Sequence, residues 1–169
     1  MNASVLLYFA YGSNLLSERF LINNKGTRMG IGRLEDYSLG FSLPDDYWEG
    51  NVLTIMPRKG SYVMGAVWEL TTDIRFLDEQ EEGYFPFTVD IKMYNGKTVA
   101  CRTYQLIDLP KEDDEDHNLP SLSYLKAIVK GAVESKLPED YIKYLRGFKH
   151  NGNLVSHRED ALQLHDFKL

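Results

Sequence analysis

The stretch VLLYFAYGSNLLSERF, Val5–Phe20, changes character twice. It begins with the apolar run Val5–Ala10, which has the length and composition of a buried strand. The small and polar residues Gly12, Ser13 and Asn14 follow, and the remainder has helical character. The first backbone N–H groups of a helical turn have no acceptor within that turn, so they are free to hold negative charge. The stretch therefore predicts a strand, a tight anion-holding loop and a helix, in that order.

The composition limits the classes of partner. The chain has 169 residues, of which 43% are hydrophobic and 26% charged, as expected for one globular domain. Its net charge is −6 and it shows no cluster of Lys and Arg, which argues against nucleic acid and membrane surfaces as partners. The single Cys101 rules out an intramolecular disulfide and predicts a cytoplasmic protein. Val5–Ala10 is too short to cross a bilayer and lacks the basic residues of a signal peptide.

The middle of the chain is rich in strand signals. Branched and aromatic residues favour strands at Val52–Met56 and Tyr62–Leu70. Alternation over Phe87–Met93 predicts a half-buried strand, which pairs with Thr98–Ile107 across a two-residue turn at Asn95-Gly96. These signals predict a strongly twisted, mostly antiparallel sheet that closes into a small barrel.

Helical signals flank this sheet. One helix is predicted between an N-cap at Thr72 and a stop at Gly83, and two more begin near Ser121 and Pro138. The fold class is therefore α+β, with helices packed outside the barrel. Residues 1–150 are expected to form a single domain. Apolar density falls after residue 150, so residues 151–169 are expected to form a tail or a loosely docked helix.

One carboxylate in the predicted helix stands out. Ile74, Leu77, Asp78 and Glu81 share a helical face, which makes Glu81 the continuation of an apolar stripe. If the end of the helix is exposed, Glu81 simply reaches water. If it lies at the edge of the core, burial and the nearby Asp78 raise its pKa towards the range of a general acid/base. The sequence leaves both interpretations open.

Several other kinds of chemistry find no support. The four histidines show no metal-ligand spacing, and neither a phosphate-binding P-loop nor a G-x-S-x-G motif is present. Cys101 lies within a predicted strand, where a free cysteine usually acts as a small hydrophobic residue. The acidic segment 110–120 is typical of a solvated loop.

Three motifs in order resemble the γ-glutamylcyclotransferase family. They are FAYGSNL after the first strand, LDEQE near the middle and CRTY on a later strand, spread over about residues 6–148. The spelling Tyr-Gly-Ser-Asn-Leu resembles the branch that acts on γ-glutamyl amino acids. The resemblance implies a small mixed barrel with flanking helices, which agrees with the α+β prediction.

The resemblance also implies roles for individual residues. The family's catalytic glutamate falls on Glu81, the residue that the helical stripe also selects. Its tyrosine in the CRTY motif falls on Tyr104, and another falls on Tyr84 if the connection after Glu81 is shortened. That shortening is a departure from the family pattern and bears on substrate preference. The substrate-binding loop falls on a run of five residues, namely Tyr11, Gly12, Ser13, Asn14 and Leu15.

The activity implied is conversion of a γ-glutamyl amino acid into 5-oxoproline and the free amino acid, with no cofactor and no metal. The partner implied is a small γ-glutamyl molecule, and since family members are often dimeric, a homodimer is expected. Three alternatives stay open: action on glutathione or γ-glutamyl amines, a non-catalytic binding relative, and an interaction protein that uses the acidic loop 112–116 or the C-terminal tail.

Overall fold

Five strands close into a barrel in the order β1-β3-β2-β4-β5. In the computed structural model of the chain, residues 5–71, 73–111 and 117–169 are described. The acidic residues 112–116 and the predicted N-cap Thr72 lie outside the described residues. The strands are β1 (Leu6–Ala10), β2 (Gly26–Asp45), β3 (Gly50–Leu70), β4 (Tyr84–Met93) and β5 (Thr98–Leu106).

Strand β1 closes the barrel. It runs antiparallel to β3, with Ala10 opposite Ala66, and parallel to β5, where Tyr8 pairs with Arg102. The other strand pairs are antiparallel. The predicted α+β class and the mixed, mostly antiparallel barrel are confirmed.

The two strands predicted at Val52–Met56 and Tyr62–Leu70 form one long strand, β3. Its pairing with β2 shifts register between Glu35 and Tyr37, where the polar residues 58–60 bulge into solvent. At this bulge Gly60 has a φ of 85° and its N–H donates to Asp36 Oδ1 at 2.9 Å. The polar, glycine-containing bulge looks like a strand break in the sequence, although the ladder continues on both sides of it.

The predicted hairpin of β4 and β5 is present, but its turn is longer than predicted. Gly96 N–H donates to the carbonyl of Met93, and Met93 N–H donates to the carbonyl of Lys97. The left-handed conformation falls on Gly96, with a φ of 86°. This is a three-residue loop with a bulge rather than the two-residue turn, and it uses the same Asn95-Gly96 pair.

Helices lie outside the barrel. A 3₁₀ turn (Ser13–Leu15) and α1 (Ser17–Phe20) follow β1, and α2 (Ile74–Gln80) precedes β4. Asp73 caps α2 by accepting a hydrogen bond from Arg75 N–H at 3.0 Å. Three helices complete the chain: α3 (Leu122–Glu134), α4 (Glu139–Arg146) and α5 (Ser156–Ala161). Among the described residues no helix is both long and apolar enough to cross a membrane.

Residues 151–169 are anchored to the domain through α5. Leu162 and Leu164 are fully buried in the core, despite the low apolar density of this segment. Glu159 is 2% exposed and forms an ion pair with Lys126 of α3, with Nζ to Oε2 at 2.9 Å. Ser123 Oγ donates to the same carboxylate at 2.8 Å. The two ends of this pair come from distant parts of the chain, so the sequence does not reveal the contact.

Replacing Glu159 with Gln is expected to lower the free energy of unfolding by about 3 kcal/mol, because the Lys126 ammonium would stay buried opposite a neutral amide. Urea denaturation followed by circular dichroism measures the change. The matched control is Asp160→Asn on the same helix, where the pair with His165 is exposed and the expected loss is below about 1 kcal/mol. Equal losses from the two variants would contradict the prediction.

Candidate active site

A cavity of about 460 Å³ opens where the first loop, the end of α2 and the start of α3 meet the barrel. Its lining includes seven of the eight residues that the sequence analysis selected: Tyr11, Gly12, Ser13, Asn14, Glu81, Tyr84 and Tyr104. The eighth, Leu15, lies behind the loop and is fully buried. The fold thus brings residues from the N-terminal motif, the middle of the chain and β5 to one place.

The first loop is held from behind by packing. Leu15 and Leu16 are fully buried, and Leu15 N–H donates to the carbonyl of Gly12 at 3.0 Å. Helix α3 approaches closely because it has Gly131 at the contact, where a Cβ atom would lie 2.5 Å from Leu16 N. Arg28 Nη2 also donates to the carbonyl of Leu15 at 2.8 Å. These contacts fix the loop while its opposite side faces the cavity.

Gly12 has a φ of −123°, so a left-handed conformation is not the reason for a glycine at this position. A Cβ atom here would meet the side chain of Leu53 at 3.4 Å and the hydroxyl of Tyr124 at 3.9 Å. Leu53 and Tyr124 both line the cavity. The absence of a side chain at Gly12 therefore leaves room inside the site.

Glu81 lies just after α2, which ends at Gln80. Its φ and ψ of −94° and 55° are not helical, so the shared helical face does not itself position the carboxylate. Tyr84 N–H donates to the carbonyl of Glu81 at 3.1 Å and closes the short connection to β4. The side chain is half-buried and faces the cavity.

Burial raises the pKa of Glu81 to about 7, because the charged form loses hydration. The nearby Arg19 guanidinium and the hydrogen bond from Asn14 lower this pKa, and the negative charge of Asp78 raises it. An upward shift of the pKa is expected for a carboxylate at the edge of the core. A carboxyl group with this pKa exchanges protons readily at neutral pH.

Asn14 connects the first loop to Glu81. Its Nδ2 donates to Glu81 Oε1 at 3.4 Å and to the hydroxyl of Tyr8 at 3.1 Å. Tyr8 in turn stacks on Phe20, with ring centroids 5.7 Å apart. The side-chain amide of Asn14 thus links the Glu81 carboxylate to the stacked rings of Tyr8 and Phe20.

The predicted tyrosines form the other walls, and their hydroxyl groups bond to protein atoms. Tyr11 donates to the carbonyl of Tyr104, and Tyr84 donates to the carbonyl of Leu53, both at 2.6 Å. The Tyr104 hydroxyl donates to Asp78 Oδ1. Burial raises the pKa of all three phenols above 10, so they are neutral at pH 7. Each phenol oxygen still has lone pairs that accept a hydrogen bond.

The sequence analysis did not select the other lining residues, which include Tyr8, Arg19, Trp48 and Tyr124. Tyr124 accepts a hydrogen bond from Leu53 N–H at 3.0 Å, but no motif in the sequence distinguishes it from the other residues of α3. Tyr8 and Arg19 flank the first loop, and their proximity to it is the signal that would have found them. For Trp48, in the turn between β2 and β3, no local pattern gives such a signal.

In the part of the chain that the structure describes, no group of three or more His, Cys, Asp or Glu residues is placed to hold a metal ion. Cys101 is 1% exposed, and burial raises the pKa of its thiol to about 12. A thiol with this pKa is a poor nucleophile at neutral pH.

Curated relatives match almost the whole chain. A bovine protein named gamma-glutamylcyclotransferase is 35% identical over 170 residues, covering 93% of this chain and 87% of the relative. The mouse protein of that name is 33% identical and covers 96% of this chain and 90% of its own length. The chain belongs to the gamma-glutamylcyclotransferase family.

Two further comparisons agree with this family membership. The AIG2-like family model matches residues 62–145. A solved structure described as gamma-glutamyl cyclotransferase superposes with a TM-score of 0.85 at 31% identity, covering 95% of this chain and 99% of that chain. The resemblance inferred from the three motifs is therefore confirmed at the level of the family and its fold.

The raised pKa of Glu81 predicts a pH-dependent cost to stability. Folding favours the protonated carboxyl, so its stabilising contribution is complete below pH 4.5 and is lost as the pH rises through about 7. The Gln side chain of Glu81→Gln cannot ionise. As the pH rises between those limits, the free energy of unfolding of the variant should therefore increase relative to that of the wild type by roughly 1–3 kcal/mol. Denaturant unfolding at pH 5 and pH 8 measures this gain. The control, Glu82→Gln, changes an exposed carboxylate and should show none; a flat difference for Glu81→Gln would contradict the prediction.

Proposed function

We propose that this protein is a γ-glutamylcyclotransferase that converts γ-glutamyl amino acids into 5-oxoproline and the free amino acid. The observation that carries the proposal is Glu81, a half-buried carboxyl group with a pKa of about 7 inside the cavity. Membership of the family supports the reaction class. The motif Tyr-Gly-Ser-Asn-Leu at residues 11–15 supports the amino acid branch.

Glu81 acts first as a base. The α-ammonium group of the substrate is mostly protonated at neutral pH and is not nucleophilic. The Glu81 carboxylate takes one proton from it, and the freed amine attacks the γ-carbonyl carbon of the same molecule. A carbon–nitrogen bond forms and closes a five-membered ring, and the carbonyl oxygen becomes an oxyanion.

Glu81 then acts as an acid. It returns the proton to the amide nitrogen of the leaving amino acid, the carbon–nitrogen bond to that nitrogen breaks, and the oxyanion collapses to the carbonyl of 5-oxoproline. The new ring nitrogen, which carries two hydrogen atoms after the attack, passes one of them as a proton through the Glu81 carboxylate to the departing amine, which leaves as an ammonium group. One group thus serves both steps, and a pKa near 7 leaves enough of each protonation state. No atom or electron is supplied from outside the substrate, so the reaction needs no cofactor.

The remaining contribution of the protein is orientation. An extended γ-glutamyl chain must fold so that its amine meets its own carbonyl, and a shaped cavity supplies that conformer. The rings of Tyr11, Tyr84 and Tyr104 form walls for the folded substrate. Ser13 and Asn14 line this space, and we infer that the N–H groups at the start of their turn hold either the oxyanion or the substrate α-carboxylate.

Two loop residues act through geometry rather than direct chemistry. Leu15 is fully buried, so its contribution to binding is to anchor the loop. Gly12 leaves space that a side chain would fill. Cytoplasmic location and a homodimer complete the proposal, and both rest on the sequence analysis.

The first experiment is a 5-oxoproline assay with γ-glutamyl-alanine on the wild type and on Glu81→Gln. Loss of the acid/base group is expected to lower kcat by roughly 10²–10⁴-fold, while circular dichroism shows an unchanged fold. The wild-type kcat/KM is expected to rise with pH through about 7, as the Glu81 carboxylate forms. The control is Glu79→Gln, the same substitution on the exposed side of α2.

A Glu81→Gln variant within about tenfold of the wild type would remove Glu81 from the acid/base role. Folded wild-type protein without product from γ-glutamyl-alanine would direct the assay to glutathione and γ-glutamyl amines. Turnover of either would shift the substrate class, and turnover of none would support a binding protein.

A further inference from the structure

The carboxylate of Asp78 joins helix α2 to the wall of the cavity. Its Oδ1 accepts a hydrogen bond from the hydroxyl of Tyr104, and its Oδ2 lies 3.5 Å from Arg102 Nη2. Tyr104 and Arg102 are two residues apart on β5, so their side chains lie on the same face of that strand. The contact with Arg102 is long and partly exposed, which makes it weak. The phenol of Tyr104 is therefore the main partner of Asp78.

Helix α2 depends on such polar contacts because it is short and mostly exposed. It has seven residues, and Leu77 is the one that is buried. A helix of this length is not stable without contacts to the rest of the protein. A second polar contact joins Asn24 Nδ2 to Gln80 Oε1 at 3.2 Å. The position of Glu81, which directly follows α2, thus depends on the few side chains that fasten the helix.

Asp78 completes a closed cycle of contacts around Glu81. Its carbonyl accepts a hydrogen bond from Glu81 N–H at 3.4 Å, and Glu81 Oε1 accepts one from Asn14 at 3.4 Å. Asn14 also donates to the hydroxyl of Tyr8 at 3.1 Å, and the ring of Tyr8 meets that of Tyr104 edge-on, with centroids 6.0 Å apart. The Tyr104 hydroxyl returns to the Asp78 carboxylate. Four of these five residues line the cavity, and Asp78 is the one that does not.

We propose that Asp78 is a positioning residue for the cyclotransfer reaction, and that it places the Glu81 carboxylate by fastening the end of α2 to the Tyr104 hydroxyl. The inference deepens the proposed function and rests on it. A carboxylate can only accept a hydrogen bond, and a charged acceptor makes a stronger bond than a neutral one. Because a displacement of about 1 Å at a reacting group can lower the rate a hundredfold, a bond that fixes Glu81 contributes to turnover without touching the substrate.

The charge of Asp78 has a separate effect on Glu81. It raises the pKa of Glu81, whereas Arg19 on α1 and the hydrogen bond from Asn14 in the first loop lower it. At about pH 8.5, well above the Glu81 pKa of about 7, the carboxylate is formed with or without this charge. Rates measured at that pH therefore report the position of Glu81 rather than its protonation.

The test is a double-mutant cycle on Asp78 and Tyr104, with kcat for γ-glutamyl-alanine measured at about pH 8.5. Asp78→Ala is expected to lower kcat roughly 10–100-fold. In a Tyr104→Phe background, which already lacks the hydroxyl, Asp78→Ala should lower kcat less than about threefold further. Asp78→Asn keeps an oxygen that accepts from the phenol, so its kcat should stay within about threefold of the wild type.

Asp73→Ala is the matched control, because it weakens the same helix from the other end. It removes the cap on Arg75 N–H, and kcat should stay within about threefold of the wild type. Amide hydrogen exchange gives a readout that does not need turnover. Asp78→Ala and Tyr104→Phe should each speed the exchange of Glu81 N–H, whereas Asp73→Ala should speed exchange in the first turn of α2.

An equal loss from Asp78→Ala in both backgrounds, or no loss in the wild-type background, would overturn the role of Asp78 and leave the cyclotransferase proposal intact. An equal loss from Asp73→Ala would also overturn it, because any weakening of α2 would then have the same effect. A folded wild type that releases no 5-oxoproline from γ-glutamyl-alanine, glutathione or γ-glutamyl amines would instead overturn the proposed function. The two failures are therefore distinguishable.

Discussion

The pairing of β1 on both of its edges is the constraint on which the rest of the structure depends. This five-residue strand lies between β3 and β5 and is the one that closes the barrel. Phe9 and Ala10 are fully buried, so its position along the barrel axis is fixed by packing as well as by hydrogen bonds. The chain leaves β1 directly into the loop Gly12–Asn14. The geometry of the cavity is thus set by the strand that completes the fold.

The same architecture destabilises the charged form of Glu81. The short connection from α2 to β4 holds the carboxylate in the cavity, where it loses hydration and its pKa rises. Asn14 and Arg19 offset part of this cost without abolishing it. A group stabilised fully by its neighbours would have an ordinary or lowered pKa and would be a weaker base in the first proton transfer. Incomplete compensation is therefore consistent with the proposed use of one carboxyl group for both steps.

The C-terminal segment also contacts residues that line the cavity. Helix α5 is attached to α3 through the buried pair of Lys126 and Glu159, and its core residue Leu162 is fully buried. This attachment carries the neighbouring Arg158 to the rings of Tyr47 and Trp48. Glu159 of the ion pair that anchors the segment and the arginine that packs against the cavity wall are adjacent in the chain. The C-terminal segment is thus connected to the cavity wall through one short helix.

The sequence by itself determined the α+β class, β1, the hairpin of β4 and β5, and the family, because these depend on local periodicity and on contiguous motifs. It also selected Glu81, although by a helical face that ends one residue too early. Only the tertiary structure decided that β3 is continuous and that Arg19, Trp48 and Tyr124 share the cavity with Glu81. The pKa of Glu81 and the packing of Arg158 against Tyr47 and Trp48 depend on burial and on distances between elements far apart in the chain. Such distances exist only once the barrel has closed, and no local pattern encodes them.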